Sequence, residues 1–100
     1  MVQLSEMTQF IQNHYKKNIS RDEIVRAAHI SASTGSRLFR KLLNQTPVGY
    51  LNQFRIEKAI KMLQQGEFNI TQIASACGFR DSNYFATVFR KHTGKAPSRF

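Results

Sequence analysis

The sequence holds one cysteine, Cys77, so no disulfide can close within the chain, and a reducing compartment suits it. Acids are scarce: six Asp and Glu stand against fifteen Lys and Arg, a formal charge of +9. No apolar run approaches the roughly 18 residues of a membrane span. The opening MVQLSEMTQF also lacks the basic start and apolar run of a secretion signal. One cysteine and three scattered histidines make no metal-ligand set, and no cofactor is expected. Nor can a nucleophile–base–orienter set, a phosphate-cradling glycine loop or a paired carboxylate site be assembled, so an enzyme is the weakest class. Period-two alternation bounded by turns is missing throughout, which removes strands. What remains is an all-α chain of strongly basic character. Such an excess of cations points first to nucleic acid and second to an acidic membrane surface.

Helical periodicity recurs from end to end. Leu4, Met7, Ile11 and Tyr15 share one stripe of a first helix, closed by Lys16, Lys17 and a left-handed Asn18. Ser20-Arg21-Asp22-Glu23 then reads as a capping box, with Ile19 and Ile24 as its hydrophobic staple. The same device returns 49 positions later, in Asn69-Ile70-Thr71-Gln72 with Phe68 and Ile73. Each short helix runs into a turn, at Ala28-His29-Ile30 and at Cys77-Gly78-Phe79. A second helix follows each turn, now at an offset of 50, so that Leu38-Phe39 matches Val88-Phe89. Asn44 and Gly94 suit positive φ. Pro47 and Pro97 suit the first turn of a new helix, and aromatics follow at Tyr50 and Phe100. The chain therefore carries two copies of helix–turn–helix–Pro-x-x-aromatic. Between them Val48–Gln65 reads as a connecting helix about 26 Å long, ended by Gly66. The expected division is residues 1–47 for the first unit, 48–66 for the connecting helix and 67–100 for the second unit.

A helix–turn–helix places its second helix in the major groove, and successive groove faces recur about every 34 Å. Two units on one chain suit adjacent segments of one duplex. In the second reading helix, Asp81–His92, Phe85, Val88 and Phe89 face inward as core. Ser82, Asn83, Ala86, Thr87 and Arg90 face outward. In the first, Ser33–Leu43, the inward residues are Leu38, Phe39 and Leu42. The outward ones are Ser33, Ser36, Arg37 and Arg40, with Thr34 and Lys41 beside them. Arg37 is the leading base-contact candidate, since a guanidinium bonds guanine O6 and N7 together; a phosphate contact or a solvated charge is the alternative. Asn83 can pair with adenine or serve as a capping amide near Asp81. Arg40, Lys41, Arg90, Lys91 and Lys95 suit phosphates. Tyr84 can pack its ring while its hydroxyl reaches a phosphate. Arg55, Glu57 and Lys58 read as a structural polar cluster, and Cys77 as a small packed residue.

These motifs resemble the DNA-binding domain of the AraC/XylS family of bacterial transcription regulators, over essentially the whole chain. The most specific are Ile73-Ala74, Gly78-Phe79, Tyr84-Phe85, Phe89-Arg90-Lys91, Gly94 and Pro97-x-x-Phe100. Tyr50-Leu51, Arg55, Ala59 and Met62-Leu63 match in the connecting helix. The resemblance implies seven helices, two helix–turn–helix units and a long linking helix, bound to adjacent major-groove segments as an activator or repressor. It carries base contacts to Ser33, Ser36 and Arg37 and to Ser82, Asn83 and Thr87. Phosphate contacts fall to Thr34, Arg40, Lys41, Tyr84, Arg90, Lys91 and Lys95. Duplex DNA is the expected partner, in a bacterial cytoplasm, with RNA polymerase and a preceding effector-binding or dimerisation domain as further partners and no membrane. The alternative is a protein-interaction module of the same fold with weak or single-unit DNA binding. Three residues depart from the family pattern: Gly35 for a large apolar residue, Val25 for alanine and His29 for the turn glycine. Loss of a core side chain at Gly35 is expected to loosen the first reading helix, with Val25 filling part of the space.

Overall fold

The computed structural model describes residues 2–100, and among them every regular element is helical. In order these are α1 Val2–His14, α2 Arg21–Arg26, α3 Ala32–Leu43, α4 Pro47–Gln65, α5 Ile70–Ala76 and α6 Ser82–Thr93. A 3-10 turn at Pro97–Arg99 takes the place of a seventh helix. Two compact units divide within α4, one ending at Leu51 and the other starting at Asn52.

In the first unit α1 packs on α2 and α2 on α3. Met7 and Ile11 are fully buried, whereas Leu4 and Tyr15 are half-buried at the ends of their stripe. The helix stops at His14, whose ring stacks on Phe10 at 4.3 Å with Nδ1 2.9 Å from the Phe10 carbonyl. Lys16 and Lys17 therefore lie beyond the helix, and Asn18 is not left-handed: among non-glycine residues described, only His29 and Asn44 have positive φ.

Both capping boxes form. Ser20 Oγ accepts from the Glu23 N–H and Glu23 Oε1 from the Ser20 N–H, each at 3.1 Å. Asn69 Oδ1 accepts from the Gln72 N–H at 2.8 Å and Gln72 Oε1 from the Asn69 N–H at 3.0 Å. The second staple is open on one side, since Phe68 remains 43% exposed. Both turns need left-handed backbone, at His29 (φ 57°) and Gly78 (φ 96°). That conformation costs an L side chain about 1–2 kcal/mol, and glycine gives back some of this in unfolded-state entropy. His29→Gly should accordingly stabilise the chain by about 0.5–1 kcal/mol, raising Tm by several degrees in a thermal melt. An unchanged or lower Tm would show that the exposed imidazole offsets the strain.

The helix ends repeat atom for atom. Asn44 (φ 55°) donates its N–H to Arg40 O at 3.0 Å, and Gly94 (φ 83°) donates to Arg90 O at 2.8 Å. Pro47 and Pro97 are both buried. Phe39 meets Tyr50 edge-on at 5.8 Å, and Phe89 meets Phe100 edge-on at 5.2 Å.

In the second unit α5 packs on α6 around Ile56, Ala59, Ile73, Ala74, Cys77, Phe79, Phe85, Val88 and Phe89. Phe79, Phe85 and Phe89 form a chain of rings with centroids 5.1 and 5.6 Å apart. The aromatics near the second turn are thus core, and Cys77 is a packed residue with Sγ 3.9 Å from Met62 Sδ. Arg55 is only 7% exposed, its guanidinium 5.4 Å above the Phe79 ring. Burial lowers its pKa, opposed by nearby Tyr84 and Cys77; arginine starts high enough to stay charged. Beside it on the same helix, Glu57 takes a hydrogen bond from Gln53 at 3.4 Å and Lys58 lies over the Phe54 ring.

At Gly35 the space is filled from Val25, as expected, and filled more completely than in part. The glycine is buried in α3, and a Cβ built there would lie 2.7 Å from Val25 Cγ2 and closer still to Cγ1. Valine already occupies the room a larger residue at 35 would need. The inward stripe of α3 then runs through Gly35, Phe39 and the half-buried Leu43. Leu42, expected inside, is turned about 100° from Leu43 and is nearly half exposed at the rim.

Candidate nucleic-acid interface

The outward faces of α3 and α6 carry the candidate residues. Helix α3 starts on Ser31, whose Oγ accepts from the Thr34 N–H at 3.2 Å and lies 2.9 Å from Thr34 Oγ1. The helix begins at Ala32, one residue before the expected start at Ser33, and the S-x-x-T pattern of Ser31–Thr34 was its signal. Ser33, Thr34, Arg37, Arg40 and Lys41 are all exposed. Ser36 is not with them. It precedes Phe39 by three residues and shares its flank, and its Oγ is enclosed without a hydrogen-bond partner. A hydroxyl so placed does not face a base, which removes Ser36 from the outward set.

Helix α6 starts on Asp81, whose Oδ1 accepts from the Asn83 N–H at 2.7 Å. The capping group is therefore the Asp81 carboxylate, and the Asn83 amide stands exposed beside Ser82. Thr87 Oγ1 donates to Asn83 O at 3.0 Å, so what Thr87 offers outward is its methyl group and its oxygen lone pairs. Arg90, Lys91 and Lys95 are exposed at the far end, while Ala86 is half-buried. His92 beside them is lowered below the ordinary histidine range, by burial and then by Lys91, so it adds little positive charge at neutral pH.

Tyr84 sits at the rim, 49% exposed, with its ring 6.0 Å from Phe79. Its hydroxyl oxygen accepts from Asn52 Nδ2 at 3.1 Å, which leaves the hydroxyl hydrogen to donate outward. Asn52, itself buried, was not read from the sequence, and its 32-residue separation from Tyr84 leaves no local pattern to find it.

Electrostatically the two faces agree. Neither α3 nor α6 contains an aspartate or glutamate, and each ends in cations, Arg40 and Lys41 in one and Arg90 and Lys91 in the other. They differ at the start, where α3 presents a neutral serine and α6 a carboxylate. Phosphate approach is thus favoured at both ends of α3 but only toward the far end of α6.

A family model described as a helix-turn-helix domain matches residues 24–100. An AraC-type DNA-binding-domain protein from Chromobacterium violaceum superimposes with a TM-score of 0.89 at 28% identity, over 98% of this chain and 88% of that one. The chain belongs to the AraC/XylS family. A second structure, the DNA-binding domain of the global transcriptional factor AdpA in complex with a target DNA, has a TM-score of 0.89 at 25% identity, over 97% of this chain and 87% of that one. Among curated relatives, the transcriptional activator RhaS of Pectobacterium carotovorum is 38% identical over 88 residues, 88% of this chain and 32% of that protein. The regulator YdeC of Bacillus subtilis is 32% identical over 94 residues, 94% of this chain and 32% of that protein. The AraC/XylS-type chain spans about a third of the length of these curated relatives. Among the described residues no helix is long and apolar enough to cross a membrane.

Proposed function

We propose that the chain binds duplex DNA sequence-specifically and regulates transcription, with α3 and α6 lying in adjacent major-groove segments. One observation carries the reading: both copies turn an acid-free, exposed polar face outward on their second helix, and both bury the phenylalanines behind it, Phe39 in one and Phe85 and Phe89 in the other. Ser33 and Arg37 on α3 and Ser82, Asn83 and Thr87 on α6 meet base edges. Arg37 takes guanine, Asn83 takes adenine, and the Thr87 methyl suits thymine. Thr34, Arg40, Lys41, Tyr84, Arg90, Lys91 and Lys95 hold phosphates and set register. The role is one of binding rather than catalysis, in a bacterial cytoplasm. RNA polymerase and an effector-binding or dimerisation domain are the further partners this reading expects.

The test is selection of duplexes from a random library, then a hydroxyl-radical footprint on the winner. Two protected patches about one helical turn apart on one face are expected. Arg37→Ala and Asn83→Ala should each cost about 1–3 kcal/mol on the selected site and relax preference at one position, whereas Lys41→Ala should weaken all duplexes and lower the salt slope by about one. A single patch would confine reading to one unit. No enrichment, with binding gone by physiological salt, would favour a protein-interaction module instead.

A further inference from the structure

A hollow of about 460 Å³ opens at the end of α6, lined by Arg90, Gly94, Lys95, Ala96 and Arg99. Three of the five lining residues are cations and none is acidic. Two of the carbonyls nearby are already engaged: Arg90 O takes the Gly94 N–H at 2.8 Å and Ala96 O takes the Arg99 N–H at 3.0 Å, while Lys95 O shares the Thr93 hydroxyl, at 3.0 Å, with Phe89 O at 2.8 Å. The helix end contributes only about half a negative charge, against three full positive ones.

The first copy serves as an internal comparison. Fifty positions earlier the same corner is built from Arg40, Asn44, Gln45, Thr46 and Gly49. It keeps the left-handed cap, the buried proline and the edge-on ring pair, with one cation in place of three. Lys95 and Arg99 are therefore not what the turn requires.

We infer that this hollow is a phosphate site, in which Arg99 joins Arg90 and Lys95 around one phosphate group. Arginine's planar fork matches phosphate oxygens two at a time, and lysine adds a point charge. The volume takes a sugar–phosphate unit with its water. The phosphate comes either from the DNA backbone, which rests on the function proposed above, or from a small phosphorylated molecule, which does not.

Arg99→Ala and Arg99→Lys would be compared with Lys61→Ala, a charge control on α4 away from the hollow. Duplex affinity would be followed across salt, and pyrophosphate binding by NMR and calorimetry without DNA. For a backbone phosphate, Arg99→Ala weakens duplex binding about three- to tenfold and lowers the salt slope by about one. Arg99→Lys falls between, and a single methylphosphonate in the duplex abolishes the difference between wild type and Arg99→Ala. For a small ligand, pyrophosphate binds the wild type, Arg99→Ala loses it, and the duplex slope is unchanged. If Arg99→Ala matches Lys61→Ala in both assays, the site is overturned. A wild type that binds no duplex would sink the DNA-binding reading alone, and the pyrophosphate arm would still decide the hollow.

Discussion

Replacing Phe89 by alanine should destabilise the chain by about 3–5 kcal/mol, the range for removing a fully buried phenylalanine. The ring has no exposed surface, lies 5.6 Å from Phe85 and 5.2 Å from Phe100, and belongs to the cluster that holds α5 against α6. Its removal deletes the middle of a row of rings. The loss of burial is therefore compounded by a cavity and by two broken edge-on contacts, each worth about 0.5–1.5 kcal/mol. Against a total stability of about 5–15 kcal/mol for a domain, this is enough to unfold a marginal one. The functional consequence is specific, because Asn83, Thr87 and Arg90 reach outward from the helix that Phe89 anchors. Urea denaturation would measure the loss, and the footprint should retain no more than the patch made by α3. Phe68→Ala is the control: that ring is 43% exposed and should cost under about 1 kcal/mol. Equal losses for the two variants would mean that the ring row is not the keystone of the second unit.

Most of the fold was legible because its signals are local. A capping box occupies four consecutive residues, and a left-handed cap followed by proline occupies four more, so Ser20–Glu23, Asn69–Gln72, Asn44–Pro47 and Gly94–Pro97 could be read directly. The inward rings of α6 were legible for a similar reason, since Phe85, Val88 and Phe89 fall at i, i+3 and i+4. In α3 the same rule misplaced two residues. The stripe there is centred on Gly35, a residue without a side chain to mark it, and so the inward direction was drawn too far toward Leu42 and away from Ser36. Contacts between distant positions left no trace of either kind. Asn52 with Tyr84, Arg55 with Phe79 and the gathering of Arg99 with Arg90 and Lys95 depend on how helices meet, and periodicity within one helix does not encode that.

Gly35→Leu should cost about 3 kcal/mol or more, even though glycine inside a helix is itself worth about 1 kcal/mol less than alanine. The propensity gain is outweighed because a Cβ at this position already falls within 3.0 Å of three Val25 atoms, before any further carbon is added. Overpacking of this kind typically costs 1–3 kcal/mol and reaches more where the obstruction is another buried side chain; Val25 is 1% exposed and cannot swing into solvent. Val25→Ala alone should cost about 1–3 kcal/mol as a simple truncation of the core. The informative variant is the pair. The second copy sets alanine at 74 and phenylalanine at 85, both buried, where the first sets Val25 and Gly35, so the small and large partners have changed sides between the copies. Combining Val25→Ala with Gly35→Leu should therefore recover at least 1 kcal/mol relative to the sum of the single changes, a coupling of the size expected for residues in contact. The footprint patch of α3, lost in Gly35→Leu, should return with it. Strict additivity would mean that the two residues do not share one space, and that glycine at 35 is tolerated rather than accommodated. Coupling would mean the reverse: the first reading helix is held as firmly as the second, by valine reaching from α2 instead of a ring reaching from α3.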